Sequence, residues 1–143
     1  PFGTGTECDR IDQRHVPVID PIHGPGRMNS LADVCREMTW GQLAAWSNKS
    51  AVLNGRTLQQ KGAVSGLSKT SKGDGLLAWV SEEEPFAVLI EFETGDLFAQ
   101  CGCNPIITPC EHAVAVIIDF IVHIKRNQTI PVARSNDPRL HLI

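Results

Sequence analysis

The chain contains no tyrosine, and aromatic residues make up only 6% of its 143 positions. Its lysines and arginines are therefore not interleaved with Tyr or Phe, which removes the usual stacking platform for single-stranded nucleic acid. Long apolar runs are missing too. The longest, Ala113 to Ile118, is followed at once by Asp119 and falls far short of a bilayer span. No Gly-x-x-x-x-Gly-Lys-Ser/Thr phosphate loop and no Gly-x-Ser-x-Gly nucleophile elbow occur. No Cys-x-x-Cys pair follows a His-x-Glu, as a zinc deaminase would need. These absences, taken together, point away from an enzyme. The opening PFGTGTECDR lacks the basic-then-apolar pattern of a secretory signal. It also lacks an initiator methionine, so the chain is read as a piece of a longer polypeptide.

Five cysteines are an odd number for a disulfide framework. Three of them lie with one histidine inside twelve residues, CGCNPIITPCEH, from Cys101 to His112. Thiolate and imidazole are the donors that tetrahedral Zn²⁺ takes, and four protein ligands make the closed, structural kind of site. In extended chain, residues i and i+2 face the same way, so Cys101 and Cys103 are predicted to share one side of a strand end. Gly102 between them permits a kink. Thr108, Pro109 and Glu111 have the form of a capping box with proline in the first turn. Inside a helix, however, Cys110 and His112 would point to nearly opposite sides. The pair converges only if the helix starts near Cys110 or Glu111. Metal-bound thiolates fit a reducing cytoplasm. The site residues read from this spacing are Cys101, Cys103, Cys110 and His112, with Zn²⁺ as cofactor.

The pattern Cys-x-Cys, a short loop, then Cys-x-His, followed by AVAVIIDFI, resembles the SWIM zinc finger. In that family the motif closes a small sheet onto a hydrophobic helix. The likeness extends upstream to Asn54-Gly55-Arg56 and Lys61-Gly62-Ala63-Val64, similar to the family's approach to its first strand. It extends downstream to Asp137-Pro138-Arg139, similar to the tail of bacterial members. It covers roughly residues 40–140. Members often carry tyrosine just after the Gly-Arg pair, where this chain has Leu58 nearby. The resemblance implies a non-catalytic module that contacts DNA or protein, in helicase-type, transposase-like or signalling systems.

Hydrophobic content of 42% with 20% charge suits one folded domain. Residues 1–29, with Cys8, His15 and His23, read as an extended arm or linker because prolines interrupt any regular element. Residues 30–143 read as the zinc-binding domain. SLADVCREM forms a helix capped by Asn29 or Ser30, with Cys35 on its apolar side. Thr39-Trp40-Gly41-Gln42 opens a second as a capping box, with Trp40, Leu43 and Trp46 as core or interface anchors. Ser50 caps a third that Gly62 ends. AVSGLSK, LLAWV, FAVLIEFE and LFAQCGC then alternate as strands joined by short turns. The final helix runs from about Glu111 to Arg126 and is apolar nearly all round, hence deeply packed. The predicted class is α+β: N-terminal helices, a four-stranded antiparallel meander, a zinc knuckle and a long C-terminal helix. In this fold the metal is expected to be the only strong tie between the sheet edge and the last helix.

Net charge is −3, but its distribution is uneven. Between Ser47 and Gly73 the charged residues are Lys49, Arg56, Lys61, Lys69 and Lys72, all basic. Between Asp74 and Asp96 all are acidic, with Glu82, Glu83 and Glu84 read as a solvated turn. The five basic residues are the candidate phosphate contacts if the partner is DNA. Exposed Trp40, Trp46 or Trp79 are the candidate anchors if it is a protein. A protein partner is placed ahead of DNA. No membrane and no small-molecule substrate is indicated. The alternative is a structural domain that positions an adjacent catalytic, helicase- or transposase-like domain.

Overall fold

The computed structural model describes residues 30–103 and 109–143. The arm 1–29 with Cys8, His15 and His23, and the stretch 104–108 with Thr108, lie outside them. Three helices come first: α1 Leu31–Glu37, α2 Trp40–Trp46 and α3 Lys49–Gln60. Ser30 caps α1 by accepting from the Asp33 N–H, and Thr39 with Gln42 forms a full capping box on α2. The cap of α3 is Asn48, whose side chain accepts from the Ala51 N–H, and not Ser50 as expected. Asn48 has the extended backbone that a cap requires, whereas Ser50 is already helical. Asp74, from the sheet, accepts the Leu31 N–H at 2.6 Å and ties the start of α1 to a strand.

Four antiparallel strands follow in the order β1-β2-β3-β4: Val64–Lys69, Asp74–Ser81, Pro85–Glu93 and Asp96–Cys101. One face of each strand points at α4, Glu111–Lys125. Leu76, Ala78 and Val80 of β2 and Val88 and Ile90 of β3 are fully buried there. Helix α4 lies between this face and the pair α1 and α3. Ala113 through Ile117 are all completely buried, which an all-round apolar helix demands.

The C-terminal segment crosses to the other side of the sheet. Lys69 exchanges backbone hydrogen bonds with Pro131 and Ala133, each 2.8 Å, along the outer edge of β1. The 3₁₀ helix Pro138–Leu142 then packs against β3. The motif Asp137-Pro138-Arg139 is its anchor. Asp137 caps the turn and holds the buried Arg139 through both carboxylate oxygens. Arg139 Nη1 donates to the Gly66 carbonyl at 2.6 Å. Gly66 sits at a bulge in β1 with φ of +64°, a conformation that favours glycine.

One sequence reading narrows, from core or interface anchor to the surface alone. Trp40 is 53% exposed and not part of the core, because α2 turns only Leu43 fully inward. Gly55 and Arg56 lie inside α3, the third helix expected from the sequence. Gly55 is where α3 meets α4. A β-carbon there would sit 2.7 Å from Val114 Cγ1 and 3.0 Å from the Glu111 carbonyl oxygen.

This contact gives a test. Alanine in place of glycine gains about 1 kcal/mol of intrinsic helix stability. Overpacking a closed core costs about 1–3 kcal/mol, and Val114 is completely buried. Gly55→Ala is expected to lose about 1 kcal/mol net in urea unfolding. Val114→Ala in the same chain removes the Cγ1 contact but leaves Val114 Cβ at 2.9 Å and the Glu111 carbonyl oxygen at 3.0 Å, so the double variant should recover part of the overpacking and be less destabilised than the sum of the two single changes.

Candidate metal centre

Strand β4 ends on Cys101, and α4 begins one residue after Cys110. Cys110 is the N-cap, with extended backbone, φ −87° and ψ 176°. His112 therefore lies in the first turn, and both side chains reach the same side, as convergence requires. The four donor atoms of Cys101, Cys103, Cys110 and His112 all lie within 4.8 Å of one another and could hold a metal ion. Cys103 Sγ is 3.7 Å from Cys110 Sγ. His112 Nδ1 is 3.5 Å from Cys101 Sγ and 3.7 Å from Cys110 Sγ. Cys101 and His112 are buried, while Cys103 and Cys110 are half-buried, so the cluster sits at the rim of the core.

Gly102 serves this geometry differently from the expected kink. Its φ is not in the left-handed region. What it supplies is room: a β-carbon would lie 2.6 Å from the Leu142 carbonyl oxygen. The C-terminal segment thus passes directly over the Cys-x-Cys turn. The Gly102 N–H donates to the Ala87 carbonyl at 2.9 Å, and the Cys103 N–H points at Cys101 Sγ at 3.4 Å.

The second nitrogen of His112 corrects another reading. Glu82 is not merely a solvated turn residue: its Oε1 lies 2.6 Å from His112 Nε2. The imidazole thereby keeps Nδ1 directed at the thiols. A carboxylate on the outer nitrogen of a metal-binding histidine is a recurrent arrangement that fixes ring orientation and raises basicity. Phe86 packs on the same ring, with centroids 4.9 Å apart. Glu82 and Phe86 come from the β2–β3 connection and from β3, so the metal would not be the only tie between sheet and helix. Glu82 was hidden in the sequence because it lies thirty residues from its partner, within a run of three identical side chains.

The protonation of the metal-free cluster follows from these contacts. The hydrogen bond from Cys101, with help from His112 and against burial, holds Cys110 well below the usual thiol range. The same bond to Cys110, with burial, pushes Cys101 up. Burial pushes Cys103 up. Burial would lower His112, but hydrogen bonds to Cys110 and Glu82 overcome it and raise the ring to about 9. The fourth described thiol stands apart. Cys35 is buried in α1, where burial and Asp74 push it up to about 12. His123 is eleven residues along α4 and is satisfied by the Asp119 carbonyl at 2.8 Å.

The basic residues named from sequence, Lys49, Arg56, Lys61, Lys69 and Lys72, are all exposed. They are spread over α3, its C-terminus, β1 and the following turn. No helix among the described residues is long and apolar enough to cross a membrane. No protein-family model, curated protein or solved structure matches this chain.

Glu82 can be tested by itself. Outer-shell carboxylates typically contribute about 10–100-fold to metal affinity. Glu82→Gln is expected to weaken metal binding by that factor in competition with a chromogenic chelator, while Glu83→Gln leaves it unchanged. Equal affinity in both variants would remove Glu82 from the centre.

A pH dependence follows with a definite sign. Cys101, Cys103 and His112 are raised in the metal-free fold, so at neutral pH each is protonated and must lose its proton to bind. Affinity is expected to fall steeply on acidification. It should rise with pH towards about 9, where His112 becomes neutral unaided. A chelator titration across this range that gave a flat profile would contradict these protonation states.

Proposed function

We propose that the chain is a non-catalytic, zinc-binding module of SWIM type, which serves as a protein-interaction part of a larger polypeptide or complex. The spacing of the four donors carries this reading. A tetrahedral ion with bonds of about 2.3 Å to sulfur and about 2.0 Å to nitrogen needs sulfur–sulfur edges near 3.8 Å and sulfur–nitrogen edges near 3.5 Å. The separations here are 3.7 Å for the Cys103–Cys110 edge and 3.5 and 3.7 Å for the two edges to His112. Three thiolates and one imidazole suit zinc over the harder divalent cations. Four protein ligands leave no coordination position for water or substrate, which favours a structural role. Thiolate ligation is at home in a reducing compartment such as the cytoplasm.

A protein partner is favoured by Trp40, the only tryptophan with more than a third of its surface exposed; Trp46 and Trp79 are half-buried. Trp46 is tied down by its indole N–H, which donates to the Leu97 carbonyl at 3.1 Å. Direct DNA contact is the second reading, supported by the exposure of the five basic residues.

Purified protein is expected to contain about one equivalent of zinc. Cys103→Ser together with Cys110→Ser should abolish it, and full occupancy in that double variant would refute the site. Binding to random duplex separates the two readings. The protein-binding reading expects weak or no association even at low salt, whereas tight binding with a steep salt dependence would establish the DNA reading instead.

A further inference from the structure

Helices α2 and α3 present a surface that the metal centre does not use. Trp40 opens α2, and the guanidinium carbon of Arg56 lies 4.6 Å from the centroid of its ring. Leu53 on α3 is 63% exposed, more than Trp40 at 53%. Lys49, Leu53 and Arg56 are spaced four and three residues apart, so they form one stripe along α3 with Trp40 beside it. Tryptophan and arginine are among the side chains that dominate binding hot spots, and Leu53 adds exposed apolar area beside them. The stack on Arg56 also limits the motion of the indole, so less freedom remains to be lost on docking.

The charges around this stripe specify the sign of what binds. Lys49 occupies the first position of α3, at the positive end of the helix dipole. Neither α2 nor α3 has an acidic residue in its first turn. A lysine there opposes the usual preference for acids at helix starts. An anionic group brought by a partner would resolve that conflict and neutralise Arg56 as well. The two cations lie seven residues apart, about 10 Å along the axis. A helix carrying two carboxylates two turns apart, with an apolar residue between them, has the matching pattern. A duplex is a poorer match, because Lys61, Lys69 and Lys72 lie away from the stripe, on the end of α3, on β1 and on the turn after it.

We infer that Trp40, Lys49, Leu53 and Arg56 form a docking surface for an acidic amphipathic helix of a protein partner. This rests on the reading of the chain as a protein-binding module.

The test uses the full, zinc-loaded chain. The probe is a fluorescein-labelled helical peptide of about fifteen residues, with two glutamates two turns apart and a leucine between them. Fluorescence polarisation is expected to show binding that weakens with added salt. Trp40→Ala should weaken it at least tenfold, as should Lys49→Glu with Arg56→Glu, while Lys72→Glu leaves it unchanged. All four positions are exposed, so the variants should retain one equivalent of zinc, and this is checked in the same samples. Absence of binding by the unaltered chain overturns the surface. Binding that survives both sets of substitutions but disappears with zinc also overturns it, and leaves the broader module reading intact. Displacement of the peptide by a random duplex, with a steep salt slope, overturns the surface and the protein-binding reading together.

Discussion

The orientation of one imidazole ring governs the rim of this fold. His112 must present Nδ1 to Cys101 and Cys110, and it does so because Glu82 takes Nε2 at 2.6 Å and Phe86 packs on the ring. Each partner reaches it from a different element. Cys101 ends β4, Cys110 caps α4, Glu82 lies between β2 and β3, and Phe86 is in β3. Ring, sheet edge and helix start are thus fixed against one another. A metal ion at this point would close a frame that hydrogen bonds and packing have already brought near tetrahedral spacing. Preorganisation of that kind lowers the ordering cost of binding.

Close backbone approaches transmit this frame outward. At Gly55, α3 comes within van der Waals reach of Val114 and the Glu111 carbonyl, one turn from Cys110. At Gly102, the Leu142 carbonyl sits over the Cys-x-Cys turn. Neither contact could form around a larger side chain without moving the element concerned. Arg139 adds a third fixed point, with its guanidinium shared between Asp137 and the Gly66 carbonyl. A buried, paired cation of this kind specifies where the C-terminal segment lies more than it adds net stability.

The sequence carried much of this in local signals. Period-two alternation and short turn motifs placed four strands and their order. The apolar run after His112 placed α4, and the incompatible directions of Cys110 and His112 inside a helix placed its start. Thr39 and Gln42 marked α2 by reciprocal capping. What it did not carry were relations between distant residues. Glu82 looks like Glu83 and Glu84 until the fold brings one of them to His112. Gly55 sits unremarked inside a helical stretch, and only the crossing of α3 with α4 shows why that helix keeps a glycine. Asp74 capping α1 across forty-three residues is of the same type. Periodicity also grouped Trp40 with Leu43 and Trp46, but a seven-residue helix lying on a larger body need bury only one of them completely. The site was legible because all four donors are close in the chain. Its supporting contacts were not, because each spans two elements.

The cluster and the outer stripe of α3 are electrostatically unlike, and the frame explains how they coexist. With a divalent ion bound, three thiolates would leave one net negative charge beside Glu82. The outer stripe of α3 carries Lys49 and Arg56 and no acid. Helix α3 touches α4 at Gly55, beside the turn that bears His112, so the stripe and the cluster belong to one packed unit. A change at the cluster that displaced the first turn of α4 would therefore act on α3 through a contact with no slack. Long-range attraction between the two is screened beyond about 8–10 Å at physiological ionic strength. Packing, and not charge, is then the means by which a metal at the rim would set the position of the docking helix.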